Sequence, residues 1–310
     1  MAELAELVTG SKFAELSCEA HFRAWLGGKK PEVSAVTYDF YSGTVNKFLN
    51  HLGPRAAEPI EGITRADIIE YRNDMAGLVK AKTVNHNLTV LKMAFRTAKR
   101  DGLISEDPTE FVDTLKLNDT GKRRGFTRAE IASVLSVADP EWKSLVLFGL
   151  YTGQRLGDLA RLTWANVDQE RNELRFVASK TGKRVILPMA LPLRKHVASL
   201  PTADSLDVPL HPKAYVVGKG NGTLSTQFGE LLIQAGLREK KNQKQSGRTE
   251  NELSFHSLRH SCVTFLHEAG LPQATVETYV GHGSSAVNRT YTHIGNAELS
   301  RAAAALPDIV

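Results

Sequence analysis

The sequence predicts a mainly α-helical protein of two domains, with one small antiparallel sheet in the second. Three observations carry that reading. Over most of the 310 residues apolar side chains recur near a 3.6-residue period between Gly and Pro signals. One stretch, WANVDQERNELRFVASKTGKRVILP, alternates turn residues with β-formers and reads as a short sheet from about 165 to 188. Between the halves, residues 117–126 (LNDTGKRRGF) are polar, charged and hold two glycines, the best linker in the chain.

Taken in order, residues 1–11 are a tail and residues 12–116 form an all-helical unit. Helical patterns lie around 13–26, 35–51, 65–77 and 83–100, separated by GGKKP, GPRAAEP and, after the last, DG and DP. Thr64 and Thr83 are the expected caps. In the fourth helix Val84, Leu88, Leu91 and Ala94 repeat as a buried stripe, and the end is basic, with Arg96, Lys99 and Arg100. Such an end complements the helix dipole; a DNA-facing helix is the sharper reading. After the linker, TRAE at 127–130 is a capping box that opens a second domain, 127–310. There a buried helix spans about 141–151 and ends at Gly153, and another starts at Arg155. The sheet follows, then helix again after Pro192, a helix near 224–236, a basic loop, and the helix begun by HSLRH at 256–260. Ser254 is its expected N-cap, and Gly270 with Pro272 its stop. Leu258, Cys262, Phe265, Leu266 and Ala269 should bury, while His256, Arg259, His260 and His267 face away.

Composition narrows the function classes. Hydrophobic content of 42% supports real cores. No run approaches the roughly 18 apolar residues of a membrane span, and MAELAELVTG has no basic region of a secretory signal. Cys18 and Cys262 are too few and too far apart for a disulfide framework or a cysteine metal site. A reducing cytoplasm is the expected home. Lys and Arg exceed Asp and Glu by 39 to 34, a formal charge of +5, which leans towards polyanions without deciding the matter. Basic clusters at 96–100, at Lys122, Arg123 and Arg124, and at 238–248 with Lys240, Lys241 and Lys244, together fit a surface that tracks a phosphate backbone.

Four stretches of the second domain carry chemistry: TGQRLGDLARLTW at 152–164, SKTGK at 179–183, HSLRH at 256–260 and GHGSSAVNRTYTH at 281–293. Arg155 and Arg259 offer planar forks of N–H donors, suited to the non-bridging oxygens of one phosphate and to the extra charge of a pentavalent transition state. Arg155 also stands at a helix start, where the dipole favours an anion. Tyr291 has a hydroxyl whose pKa near 10 in water demands cations and a base before it can attack. Tyr279, its nearest rival, lies in the apolar pattern of ATVETYV and belongs to the core.

In order and spacing these four stretches resemble the tyrosine recombinase, or phage integrase, family, and the resemblance covers essentially the whole chain. It implies that residues 12–116 are a helical DNA core-binding domain and residues 127–310 the catalytic domain. By resemblance Tyr291 is the nucleophile that forms a 3′-phosphotyrosyl bond to DNA. Lys180 corresponds to the hairpin lysine that protonates the leaving 5′ oxygen, with Lys183 a competitor for the role. His256 matches the acid/base histidine and His282 the one that hydrogen-bonds the scissile phosphate. Asp158 looks like the acidic residue that holds the first arginine, where many members carry glutamate. The family implies double-stranded DNA sites as partner, a tetramer on DNA, no metal or nucleotide cofactor, and a nucleoid location. The carboxy-terminal SRAAAALPDIV resembles a tail passed to a neighbouring protomer; its alternative is a helix folded back on its own domain.

Other readings fail on residue grounds. HSLRH lacks the glutamate of HExxH, and an arginine inside the cluster repels a dication. YVVGKGNG at 215–222 suggests a mononucleotide site, but the third glycine of GxGxxG fails at Thr223 and the stretch reads as a turn. A type IB topoisomerase and a catalytically silent DNA-binding regulator remain as alternative functions.

Overall fold

A computed structural model describes residues 16–117, 123–201, 203–217, 223–239, 252–281 and 295–309. The chain divides into two compact units, Met1–Asp119 and Thr120–Val310.

The first unit is built from α1 (Cys18–Lys29), α2 (Ala35–Leu52), α3 (Arg65–Leu78) and α4 (Ala81–Arg100). Ser17, Ser34 and Thr64 each accept a backbone N–H from the first turn they cap, and Thr64 pairs with Asp67 in a capping box. Thr83 is not a cap: α4 begins two residues earlier, after Lys80, and Thr83 lies within its first turn. The core is aromatic. Phe22 meets Phe48 and Phe95 at ring-centroid distances of 5.4 and 5.3 Å, and Tyr71 closes on Phe48 at 5.3 Å. Removing one such ring costs roughly 3–5 kcal/mol. Several polar side chains inside this core are paired. The His21 ring bonds the Ala94 carbonyl at 3.1 Å, and Asn87 accepts from the Thr44 hydroxyl at 3.1 Å. Arg55 holds Asp67 in a two-pronged ion pair. Opposite the buried stripe of α4, Lys82, His86, Thr89, Arg96 and Arg100 are exposed.

The second unit holds α5 (Arg128–Val137), α6 (Pro140–Thr152), the single turn α7 (Leu156–Leu159), strands β1 (Val167–Asp168), β2 (Glu173–Val177) and β3 (Arg184–Pro188), then α8 (Leu191–Ser199), α9 (Pro212–Val217), α10 (Thr223–Gln234), α11 (Phe255–Glu268), α12 (Gln273–Val280) and α13 (Asn296–Ala305). The sheet is antiparallel in the order β1-β2-β3, with Leu174 opposite Leu187 and Phe176 opposite Val185. Leu174, Phe176 and Leu187 bury on one face, while Val177 and Ile186 stay exposed on the other. Residues Leu145–Thr152 are buried throughout, so α6 runs through the centre. α11 packs directly on it because Gly149 has no side chain: a Cβ there would stand 2.7 Å from the Phe255 ring.

Residues 123–126 belong to this unit rather than to a loose linker. Ser261 on α11 accepts the Phe126 N–H at 2.7 Å, and the backbone N–H of Arg124 reaches the Glu252 carbonyl at 3.4 Å. Phe126 is buried, and that burial is what a composition-based linker boundary misses. Tyr215–Val217, read from the sequence as part of a turn, close the short helix α9. The end of the described chain folds back on its own unit. Ala302 and Ala303 bury, Tyr151 donates its hydroxyl proton to the Pro307 carbonyl at 3.0 Å, and the Ile309 N–H reaches the same hydroxyl at 3.2 Å.

Candidate active site

Three loops and one helix converge at the C-terminal end of α6. That helix ends at Gly153, whose φ of +63° is a left-handed cap. Glycine is needed there twice over, because a Cβ would also lie 2.8 Å from Val280. The stem of Arg259 lies beside this cap. Its Nη1 donates to the Gly153 carbonyl at 3.0 Å, and the whole residue is 3% exposed. Arg259, expected on a solvent face, is buried: the period of α11 puts it near the apolar stripe, and the Gly153 carbonyl accepts its Nη1 proton inside. Ala269, expected to bury, is exposed at the C-cap. Leu258, Cys262, Phe265 and Leu266 bury as the period requires.

The buried guanidinium is incompletely satisfied. Nε and Nη2 of Arg259 are buried without a hydrogen-bond partner among the described residues. Burial, then the neighbouring charge of Arg155, pushes its pKa down to about 10. An arginine so placed is still a cation at neutral pH, and two unpaired charged donors cost stability unless an anion meets them.

Arg155 is the partner cation, its side chain 37% exposed. It is the N-cap of α7, but α7 is a four-residue turn, so the dipole expected to help it hold an anion is small. What steadies Arg155 is Asp158, whose Oδ2 lies 4.0 Å from Arg155 Nη1, a loose ion pair rather than a hydrogen bond. The other carboxylate oxygen, Oδ1, accepts from the backbone N–H of Ser179 at 2.9 Å and from its hydroxyl at 2.6 Å. Ser179 opens the β2–β3 turn that carries Lys180. That turn is closed by the Ala178 N–H on the Lys183 carbonyl and the Gly182 N–H on the Ala178 carbonyl, each 2.9 Å, and both lysines are exposed.

His256, in the first turn of α11, is half-buried, and its ring meets that of His260 edge to face at 5.3 Å. Burial, Arg123 and Arg259 all hold the His260 pKa below its ordinary value. Cys262 is fully buried, with its thiol pushed up to about 12, so it is no nucleophile here. Tyr279 is also interior: its hydroxyl donates to the Tyr151 carbonyl at 2.9 Å, and burial drives its pKa well above that of free tyrosine. The described chain then reaches Gly281, directly after the Val280 that abuts Gly153. His282, Tyr291, Lys122, Lys240, Lys241 and Lys244 lie outside the described residues.

The remaining cations divide by partner. Arg96 and Arg123 are exposed. Lys99 pairs with Glu110 at 3.3 Å and Arg100 with Asp101 at 3.0 Å. Arg124 forks onto both oxygens of Glu130 at 2.8 and 2.7 Å and also reaches Glu252 at 3.3 Å, so it stitches the entry segment to its own unit. Sequence reasoning missed Ser179, the bond from Arg259 to the Gly153 carbonyl, and this stitch. Only Ser179 left a signal, as the hydroxyl residue immediately before Lys180 in SKTGK. Among the described residues no group of three His, Cys, Asp or Glu side chains is gathered around a common point.

Two arginines stand beside a buried carboxylate, in a helical unit with a small sheet and an exposed hairpin lysine. The chain belongs to the phage integrase family, which it matches over residues 126–298. It is similar to tyrosine recombinase XerC of Roseiflexus castenholzii, 26% identical over 273 residues and 85% of each chain. It is also similar to tyrosine recombinase XerD of Pseudomonas aeruginosa, 26% identical over 279 residues, 85% of this chain and 88% of that one. Its fold is that of lambda integrase: the dimer bound to a COC′ core site aligns with a TM-score of 0.68 at 19% identity, over 90% of this chain and 96% of that one. A lambda integrase tetramer bound to a Holliday junction aligns at 0.70 and 18% identity, over 94% of this chain and 83% of that one. The chain is a site-specific DNA recombinase, an enzyme that breaks and rejoins DNA strands. These comparisons favour neither a relaxing topoisomerase nor a silent regulator. No helix among the described residues is long and apolar enough to cross a membrane.

Proposed function

We propose that Arg155 and Arg259 hold the scissile phosphate while Tyr291 attacks it. The observation that carries this is the buried Arg259 fork, with Nε and Nη2 unpaired and Arg155 beside it. In the attack the Tyr291 oxygen forms a bond to phosphorus, the P–O5′ bond breaks, and its electron pair leaves with the 5′ oxygen. The phenolic proton passes to a base, a task that suits His256, whose ordinary pKa is near neutral. Lys180 supplies a proton to the departing oxygen, and its exposed hairpin leaves it free to reach in. His282 adds a hydrogen bond to a non-bridging oxygen. The 3′-phosphotyrosyl bond conserves the energy of the cut strand, so a 5′-hydroxyl from another duplex reverses the chemistry without ATP.

We further propose that the chain acts as a tetramer on paired duplex sites at the nucleoid. Residues 12–116 would serve as the core-binding domain, with the exposed α4 face on DNA and Arg96 among its phosphate contacts. Lys99, Arg100 and Arg124 would have to exchange carboxylate partners for phosphates. The α13 helix closes on its own unit in the isolated chain, so passing the tail to a neighbour would first break the Tyr151–Pro307 bond.

A nicked suicide duplex that loses its short 5′ fragment tests the chemistry. The wild-type chain should accumulate a covalent DNA adduct at Tyr291, located by peptide mapping, and Tyr291→Phe should form none. An adduct that persists in Tyr291→Phe would remove Tyr291 from the mechanism.

A further inference from the structure

The hairpin that presents Lys180 is tied to the arginine turn through a single residue. Ser179 donates twice to Oδ1 of Asp158, from its N–H and its hydroxyl. Asp158 is 5% exposed, and its second oxygen faces Arg155. Lys180 is the next residue, about 3.8 Å along the chain, on a turn whose other backbone hydrogen bonds among the described residues are those at its base with Ala178. Charge-assisted bonds to a buried carboxylate are among the stronger tethers a loop can have. A displacement of a proton donor by about 1 Å is enough to cost a large factor in rate.

We infer that Ser179 is a positioning residue: its paired bonds to Asp158 lock the β2–β3 hairpin to the turn of Arg155, so that Lys180 is aimed at the oxygen leaving the phosphate that Arg155 holds. Asp158 thereby serves both arms of the site, steadying the phosphate grip with one oxygen and the proton donor with the other. This rests on the proposed role of Lys180, and it makes the serine, rather than the lysine's own contacts, the determinant of reach.

A merely structural serine and a positioning serine differ in what a better leaving group does. A duplex whose scissile 5′-bridging oxygen is replaced by sulfur expels a thiolate, which needs no proton. Ser179→Ala, which keeps the N–H bond and loses the hydroxyl bond, should cleave the ordinary suicide duplex on the order of 10- to 100-fold more slowly. It should bind that duplex with unchanged affinity and cleave the sulfur duplex at the wild-type rate. Ser179→Thr, which keeps the oxygen, should restore cleavage of the ordinary duplex. Equal slowing on both duplexes, or no slowing on either, would overturn the inference. Lys180→Ala measured in parallel separates the two layers. If it is rescued by sulfur and Ser179→Ala is not, the inference alone falls. If Lys180→Ala gains nothing from sulfur, the proton-donor role falls and the inference with it.

Discussion

The two units treat buried charge in opposite ways. In the first, each interior ionisable group described above has a partner: His21 has the Ala94 carbonyl and Asp67 has Arg55 and Thr64. Its one buried orphan atom among the described residues is the neutral Trp25 Nε1. In the second, Arg259 Nε and Nη2 have no hydrogen-bond partner among the described residues, and Asp158 Oδ2 has there only a loose ion pair with Arg155. A stable fold does not leave charged donors unpaired by accident. The difference teaches that the first unit is built to hold its shape, and it supports placing the proposed site of the second at Arg155 and Arg259.

That comparison breaks if Arg259 is a structural residue. Replacing it with an apolar side chain of similar length, Arg259→Met, should lower adduct formation on the suicide duplex by about a thousandfold or more, the scale for losing a preorganised charge at a reacting centre. The melting temperature should hold or rise, because an incompletely paired buried cation is removed. A clear drop in melting temperature with cleavage retained would make Arg259 a strut. Asn87 in the first unit, whose amide bonds Thr44 and Tyr71, is the contrasting case in which loss of a buried polar side chain is felt as stability.

A smaller effect sharpens the comparison through pH. His211, wedged between the Ser144 hydroxyl at 2.9 Å and the Leu159 carbonyl at 3.2 Å, has its pKa held down to about 4, chiefly by burial. The unfolded chain takes up that proton near pH 6.5 and the folded chain does not until about pH 4. Stability therefore falls as pH drops through this window, by roughly 2–3 kcal/mol at its lower end. Urea titrations between pH 7 and 4, followed by a signal of the second unit, should show this slope, and His211→Gln should flatten it. An unchanged slope in the variant would assign the acid sensitivity elsewhere.

How much of this was legible in the sequence depends on what each feature is made of. Helices α2 and α3 were placed to within a residue or two because GPRAAEP stops the first and Thr64 caps the second. Arg155 and Arg259 stood out because planar forks in that order have few other uses. The burial of Arg259 was not legible, since periodicity treats arginine as a surface residue and cannot register that the Gly153 carbonyl, 106 positions away, accepts its proton. Ser179 was hidden for a similar reason: its bond to Asp158 spans 21 residues and depends on how the hairpin folds back, not on local pattern. Phe126 shows the converse error, a buried anchor concealed inside a charged, glycine-rich run.

The most direct test of the central claim changes the DNA instead of the protein. If Arg259 serves to neutralise charge on the scissile phosphate, a suicide duplex with an uncharged methylphosphonate at that position no longer needs it. Arg259→Ala should then cleave the methylphosphonate duplex far faster than the ordinary one, approaching the wild-type chain on the same neutral DNA. If Arg259→Ala stays equally inactive on both duplexes, while the wild-type chain cleaves the neutral one, the account of this site as a charged grip on phosphate is contradicted.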